Sequence, residues 1–133
     1  MHETPIHNHG RRWTARFLML NGVAFALFGL GFVFAPALFS GLFTGAVPAT
    51  PDALTDMRAT CGGVALGLGI LFARHALDAS RLRSGLLAVL YVTLPLAGAR
   101  LYGMFAAGAA NGFMIAFLGT EVVVVLLAIA LLR

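Results

Sequence analysis

Residues 113–132 read FMIAFLGTEVVVVLLAIALL and carry one charge, Glu121. A helix needs about 20 mostly apolar residues to cross bilayer hydrocarbon, so this stretch predicts a membrane span. Three runs of the same kind precede it. Residues 86–107 hold Arg100 and Pro95, whose missing N–H predicts a kink at the Tyr91 carbonyl. Residues 59–73 follow Arg58, and residues 17–34 are apolar except for Asn21. Of the 133 residues, 60% are hydrophobic and 11% charged; a soluble domain carries about 25% charged residues. So few charges cannot cover a water-facing surface. The predicted fold is all-α, an integral membrane four-helix bundle. Its antiparallel spans lie at about 17–35, 55–74, 86–107 and 113–132. Little chain remains for a separate soluble catalytic domain.

A polar tail at residues 1–16 precedes the four-span domain at 17–133. Arg11, Arg12 and Arg16 lie in the tail, Arg74, Arg81 and Arg83 between the second and third runs, and Arg133 at the end. Segments 35–57 and 108–112 have no arginine, and the first carries Asp52 and Asp56. Arginine outside the spans marks the cytoplasmic side, so both termini are expected in the cytoplasm, which agrees with an even number of spans placing them on one side. A cleaved secretory signal is the rival reading of the first run, because Ala35-Pro36-Ala37 resembles a small-residue cleavage site. A signal core spans about 7–15 residues, and this run is longer. Thr50-Pro51-Asp52 has the order of a helix start, with a capping hydroxyl, proline at the first position and an acid in the first turn. Trp13 and Tyr102 suit interfacial anchors, whereas the mid-membrane Tyr91 hydroxyl is expected to seek a partner.

The net charge is +4 and all nine basic residues are arginine. They flank or interrupt apolar runs and form no basic stripe interleaved with aromatics, which argues against nucleic acid. Cys61 is the sole cysteine, cannot form an internal disulfide, and reads as a small packing residue. His2, His7 and His9 lie in the tail at a spacing too short and flexible to predict a metal site. No cofactor is implied.

In lipid, close helix packing relies on small residues. Gly62, Gly63, Gly67 and Gly69 are therefore the predicted helix-packing positions, with Gly63/Gly67 and Ala65/Gly69 as small-xxx-small pairs. Gly62, Ala65 and Gly69 share a helical face with Arg58, so that face is expected to point into the bundle. Leucine at Gly63 is expected to destabilise more than leucine at Gly31. A phosphate-loop reading fails, because no lysine follows the glycines and no strand precedes them. The phenylalanines of the first run (Phe17, Phe25, Phe28, Phe32, Phe34) read as lipid-facing or core-filling residues rather than a cofactor box.

Three ionisable residues stand at membrane depth: Arg58, Arg100 and Glu121. Such residues usually face a bundle interior or a wet cavity. The last two runs form a hairpin about residues 109–110, which puts Arg100 and Glu121 level, roughly 10 Å below the outer surface at about 1.5 Å per residue. Arg58 enters from the same side and is long enough to reach toward them. Two positive charges and one negative leave a surplus that a carboxylate or lipid phosphate would compensate. Thr93, seven positions before Arg100, adds a hydroxyl on the same face. The bland reading of equal weight is an Arg100–Glu121 ion pair that only pins one helix to another. Catalysis is the weaker reading. Glu121 has no second carboxylate, serine, cysteine or histidine at its level, and a nearby arginine opposes a general-acid role.

The pattern Arg58-x-x-x-Gly62-Gly63-x-x-x-Gly67-x-Gly69, then Ala99-Arg100-x-x-Gly103, then Asn111-Gly112 and Glu121, resembles the domain of unknown function 4345 family, small bacterial four-span membrane proteins. The likeness covers about residues 15–132. It implies the four-span fold in a bacterial inner membrane and draws attention to Arg58, Arg100 and Glu121. The family pattern often carries an acid where this chain has Asn111. The resemblance implies no reaction.

From these readings the expected function is non-enzymatic: binding or handling a small anionic or amphiphilic molecule near the outer leaflet, through Arg58, Arg100, Glu121 and Thr93. The alternatives are an accessory subunit whose polar cluster only clamps helices, and a small enzyme acting on a lipid-like substrate. Membrane lipid is the expected partner. A homo-oligomer through Gly63/Gly67 or Ala65/Gly69 is a further expectation, and transport would require one.

Overall fold

A computed structural model describes the backbone of residues 5–133 and the side chains from residue 10 onward. The described chain is entirely helical. Helix α1 spans Pro5–Phe34, α2 Pro36–Thr44, α3 Pro51–Leu77, α4 Leu82–Ala107 and α5 Gly112–Leu132. Four of them contain stretches long and apolar enough to cross a membrane: Gly10–Phe34, Pro51–Leu77, Leu82–Ala107 and Gly112–Leu132. Large apolar side chains such as Leu20, Leu27, Ile70, Leu94 and Val123 lie exposed along these helices. That is the surface a bilayer accepts, and the protein is a multi-pass membrane protein.

Several polar residues inside the spans satisfy themselves locally. Thr14 Oγ1 donates to the Gly10 carbonyl at 3.1 Å, Asn21 Nδ2 to Phe17 at 2.9 Å and Thr120 Oγ1 to Ala116 at 2.9 Å. Each bond reaches back one turn and needs nothing from lipid. Helix α4 runs unbroken through Pro95. Of residues 1–16, read from the sequence as a tail, the described part from Pro5 continues α1, so Arg11, Arg12 and Arg16 stand on the first helix.

The largest helix contact joins α1 and α3, and it is made backbone to backbone. A Cβ on Gly29 would lie 2.5 Å from Leu66 N and 2.8 Å from the Gly62 oxygen, and one on Gly69 2.6 Å from Ala26 N and 2.7 Å from the Gly22 oxygen. The contact therefore uses Gly22 and Gly29 against Gly69 and Gly62, paired antiparallel, with the glycines seven positions apart on each helix. A seven-residue repeat keeps one seam of two nearly aligned helices in contact. The small-xxx-small spacing read from the sequence misses this seam. Gly67 has open space around it, and a Cβ on Gly63 would meet nothing closer than its own helix at 3.8 Å. Of the four expected packing glycines, Gly62 and Gly69 make the contact, with Gly29 and Gly22 opposite, while Gly63 and Gly67 do not. The Gly31 comparison also reverses, because a Cβ there would collide with the Phe39 ring. Ala65 is buried and Gly69 is occupied by α1, so neither is free for a second copy of the chain.

Two features lie outside the sequence reading. The first is α2, in a segment expected to be a loop. Pro36 starts it, and Gly45, at φ 75°, ends it in the left-handed region and donates to the Gly41 carbonyl. The second is the π-helical turn Arg58–Gly63 inside α3, closed by Val64 N–H donating to the Ala59 oxygen. The wider turn still leaves Arg58 on the side of α3 that meets α1, since Arg58 and Gly62 both lie against Val33.

Candidate functional site

Toward one end the bundle has a mainly aliphatic core of Leu18, Leu82, Leu86, Val89 and Ala128 around the single buried ring of Phe72. At the other end, where α2 lies, rings take over. Phe43 of α2 stacks on Phe28 of α1 at 5.7 Å and meets Phe117 and Phe113 of α5 edge-on at 5.1 and 5.6 Å. Edge-to-face pairs of this geometry add to the burial they provide. Phe28 and Phe32, left open between lipid and core by the sequence, belong to this cluster, whereas Phe34 is exposed.

Asn111 fastens α2 to the α4–α5 turn. Its Oδ1 accepts from Met114 N at 2.8 Å, capping α5, while its Nδ2 donates to the Phe43 carbonyl at 2.9 Å. An acid at this position would keep the cap but has no proton to give Phe43.

Beneath the cluster, Arg100 of α4 meets Glu121 of α5. Nε donates to Oε1 and Oε2 at 3.0 and 3.2 Å, and Nη2 to Oε1 at 2.8 Å. The two side chains retain 19% and 10% of their exposure. The guanidinium sits 5.2 Å from the centre of the Phe117 ring, and Nη1 donates to Met114 Sδ at 3.2 Å. Charge pairing, a ring face and a polarisable sulfur together replace the water the cation gave up. Arginine has five N–H groups. Glu121 engages two of them and Met114 one, which leaves two on the Nη atoms. Arg100 also lines a cleft of about 260 Å³, together with Gly103, Met104, Ala109 and Met114.

The other predicted site residues do not join this pair. Arg58 is exposed and its Nε donates to the Val33 carbonyl at 3.2 Å. Val33 is in the last turn of α1, where carbonyls lack helical partners and cations are favoured. Arg58 therefore caps α1 and does not add a second positive charge beside Glu121. Thr93 is buried at 3% exposure, and its hydroxyl has no hydrogen-bond partner among the described residues. It stands seven residues, about 10 Å, along α4 from Arg100. Tyr91 is 74% exposed and turned outward rather than toward a buried partner. Of the histidine tail, His2 lies outside the described residues, as do the side chains of His7 and His9.

The aromatic roof and Asn111 escaped the sequence reading. Their signal was present in the phenylalanines at 39, 43, 113 and 117, but it is legible only once α2 is known to be a helix.

A family model described as Domain of unknown function (DUF4345) matches residues 14–132, nearly the whole chain. No curated protein and no solved structure matches it. The chain belongs to the DUF4345 family.

Proposed function

We propose that this member of the DUF4345 family is a non-enzymatic protein of the bacterial inner membrane. In this reading it holds the oxyanion head of a small amphiphile, an alkyl phosphate or carboxylate, at Arg100. The observation that carries the proposal is the division of the guanidinium. One edge is locked to Glu121, two N–H groups are left over, and Arg100 lines the cleft beside Gly103 and Met104. Glu121 and Phe117 fix the orientation, so the free edge costs little to present. The apolar cleft walls suit a hydrocarbon chain. The charge asymmetry of the sequence sets this cleft toward the outer leaflet, with both termini in the cytoplasm.

Dodecyl phosphate is the probe that tests the proposal. Gly103 has open space for a side chain, so Gly103→Leu fills the cleft without touching the ion pair. Native mass spectrometry of the wild type in a non-ionic detergent should show bound dodecyl phosphate, and Gly103→Leu should lose it while melting at the wild-type temperature. Equal retention by wild type and Gly103→Leu refutes the proposal.

A second reading rests on the same distances. Glu121 already neutralises Arg100, and a self-neutral pair suffices to clamp α4 to α5. It predicts no dodecyl phosphate in either protein.

A further inference from the structure

At the opposite end of the bundle, a second cleft of about 540 Å³ opens between α1, α4 and α5. Arg11 of α1, Arg83 of α4 and Arg133 beyond α5 stand around it, with Ser80 at the rim. Leu86 and Leu131 lie on its apolar side. The other arginines at this end are differently engaged or differently placed. Arg81 Nε pairs with Asp78 Oδ2 at 3.0 Å, and the Arg16 guanidinium sits 5.4 Å from the Trp13 ring centre. Arg12 and Arg74 do not line the cleft. Arg11, Arg83 and Arg133 have no acidic partner among the described residues. Three helices thus bring three uncompensated guanidinium groups to one opening, directly above apolar surface at the membrane edge.

Positive-inside topology needs arginines near the spans, but it does not need them gathered at a groove. We propose that this cleft is a binding site for an anionic phospholipid, whose phosphate is held by Arg11, Arg83 and Arg133 and whose first methylenes lie on Leu86 and Leu131. Planar guanidinium forks match phosphate oxygens in pairs, while the Ser80 hydroxyl at the rim is already donated to Asp78. Basic pockets between spans on the cytoplasmic side are places where anionic head groups bind. The site is separate from the Arg100 cleft and does not depend on it.

The test uses dioleoyl phosphatidylglycerol added to the full chain in a non-ionic detergent, with dioleoyl phosphatidylcholine as the zwitterionic comparison. Native mass spectrometry counts the lipid retained. The wild type should retain phosphatidylglycerol in preference to phosphatidylcholine. Arg11→Gln/Arg83→Gln/Arg133→Gln should retain it about tenfold less, as lost charge-assisted contacts imply. These side chains are exposed, so the variant should melt with the wild type. If the triple variant fails to fold, Arg83→Glu alone should produce the loss. Arg74→Gln removes a charge at the same end but outside the cleft and should bind as the wild type does. Equal loss in Arg74→Gln, or equal retention of the two lipids, would overturn the site. Inorganic phosphate separates a lipid from a free anion. Phosphatidylglycerol should stay bound against it, and displacement at matched concentration would overturn the lipid assignment.

Discussion

Gly29 of α1 and Gly62 of α3 meet with no side chain between them: a Cβ on Gly29 would fall 2.8 Å from the Gly62 oxygen, and one on Gly62 3.2 Å from the Gly29 oxygen. Two helix backbones in this proximity form the tightest seam of the bundle. Leucine at Gly29 or Gly62 must push α1 and α3 apart, and overpacking costs at least about 1–3 kcal/mol. Gly67→Leu and Gly63→Leu meet open space. Thermal melts in mild detergent should fall markedly for Gly29→Leu and Gly62→Leu and stay near wild type for the other two. Similar losses at all four positions would mean that the seam is not where the structure places it.

Asn111 separates two roles by atom. Asn111→Ala removes the cap and the tie to Phe43, a loss of about 1–2 kcal/mol on the usual capping scale. Asn111→Asp keeps the acceptor for Met114 N but offers no donor to the Phe43 carbonyl. Hydrogen exchange should therefore speed up in both α2 and the start of α5 for the alanine variant, and in α2 alone for aspartate. An unchanged α2 in both variants would remove the tie from the account.

The short connection between α3 and α4 is ordered by Asp78. Ser80 donates its hydroxyl and amide to Asp78 Oδ1 at 2.6 and 3.0 Å. These bonds, with Arg81 and His75 nearby, hold the Asp78 carboxyl below its usual 3.8. A lowered folded-state pKa stabilises the turn above about pH 4 and ceases to do so as pH falls through the folded value. The Ser80 amide resonance should titrate below pH 3.8 in the wild type and show no such step in Asp78→Asn. A midpoint at or above 3.8 would contradict the turn geometry.

Topology follows from where the arginines stand. Arg11, Arg12, Arg16, Arg74, Arg81, Arg83 and Arg133 lie at one end of the bundle or beside it, while Asp52 and Asp56 begin α3 at the other. A reporter fused after Arg133 or inserted near Ser80 should read cytoplasmic, and one near Ala49 periplasmic. A cytoplasmic signal at Ala49 would reverse the proposed orientation.

The spans were legible in the sequence because twenty apolar residues in a row admit few other folds. The level of Arg100 with Glu121 was also legible, since a tight hairpin fixes which residues lie opposite. Of the α1–α3 seam only the α3 side was legible, as the shared face of Gly62, Ala65 and Gly69. Gly22 and Gly29 look like isolated glycines in a phenylalanine-rich run, and the eye is drawn to the denser Gly62–Gly69 segment. Only a seven-residue repeat on two antiparallel helices identifies the partners. Arg58 was misplaced for a different reason. It was expected to reach toward Arg100 and Glu121, but it lies beside the end of α1, where the Val33 carbonyl takes up its Nε. Helix α2 hid behind Pro36 and Gly45, which read as loop residues until they are seen as its two ends.

The central claim is that Arg100 and Glu121 act as one unit inside the membrane, and a double-mutant cycle on unfolding free energy in detergent tests it most directly. Removing one partner strands the other charge in a site that retains little water, and breaking a buried pair costs about 3–5 kcal/mol. Arg100→Leu and Glu121→Leu should each destabilise on that scale. Arg100→Leu/Glu121→Leu should be less destabilised than the sum of the two, because nothing charged remains to be solvated. Single changes that are mild and strictly additive would contradict the pairing, and with it the fixed guanidinium on which the proposed head-group site depends.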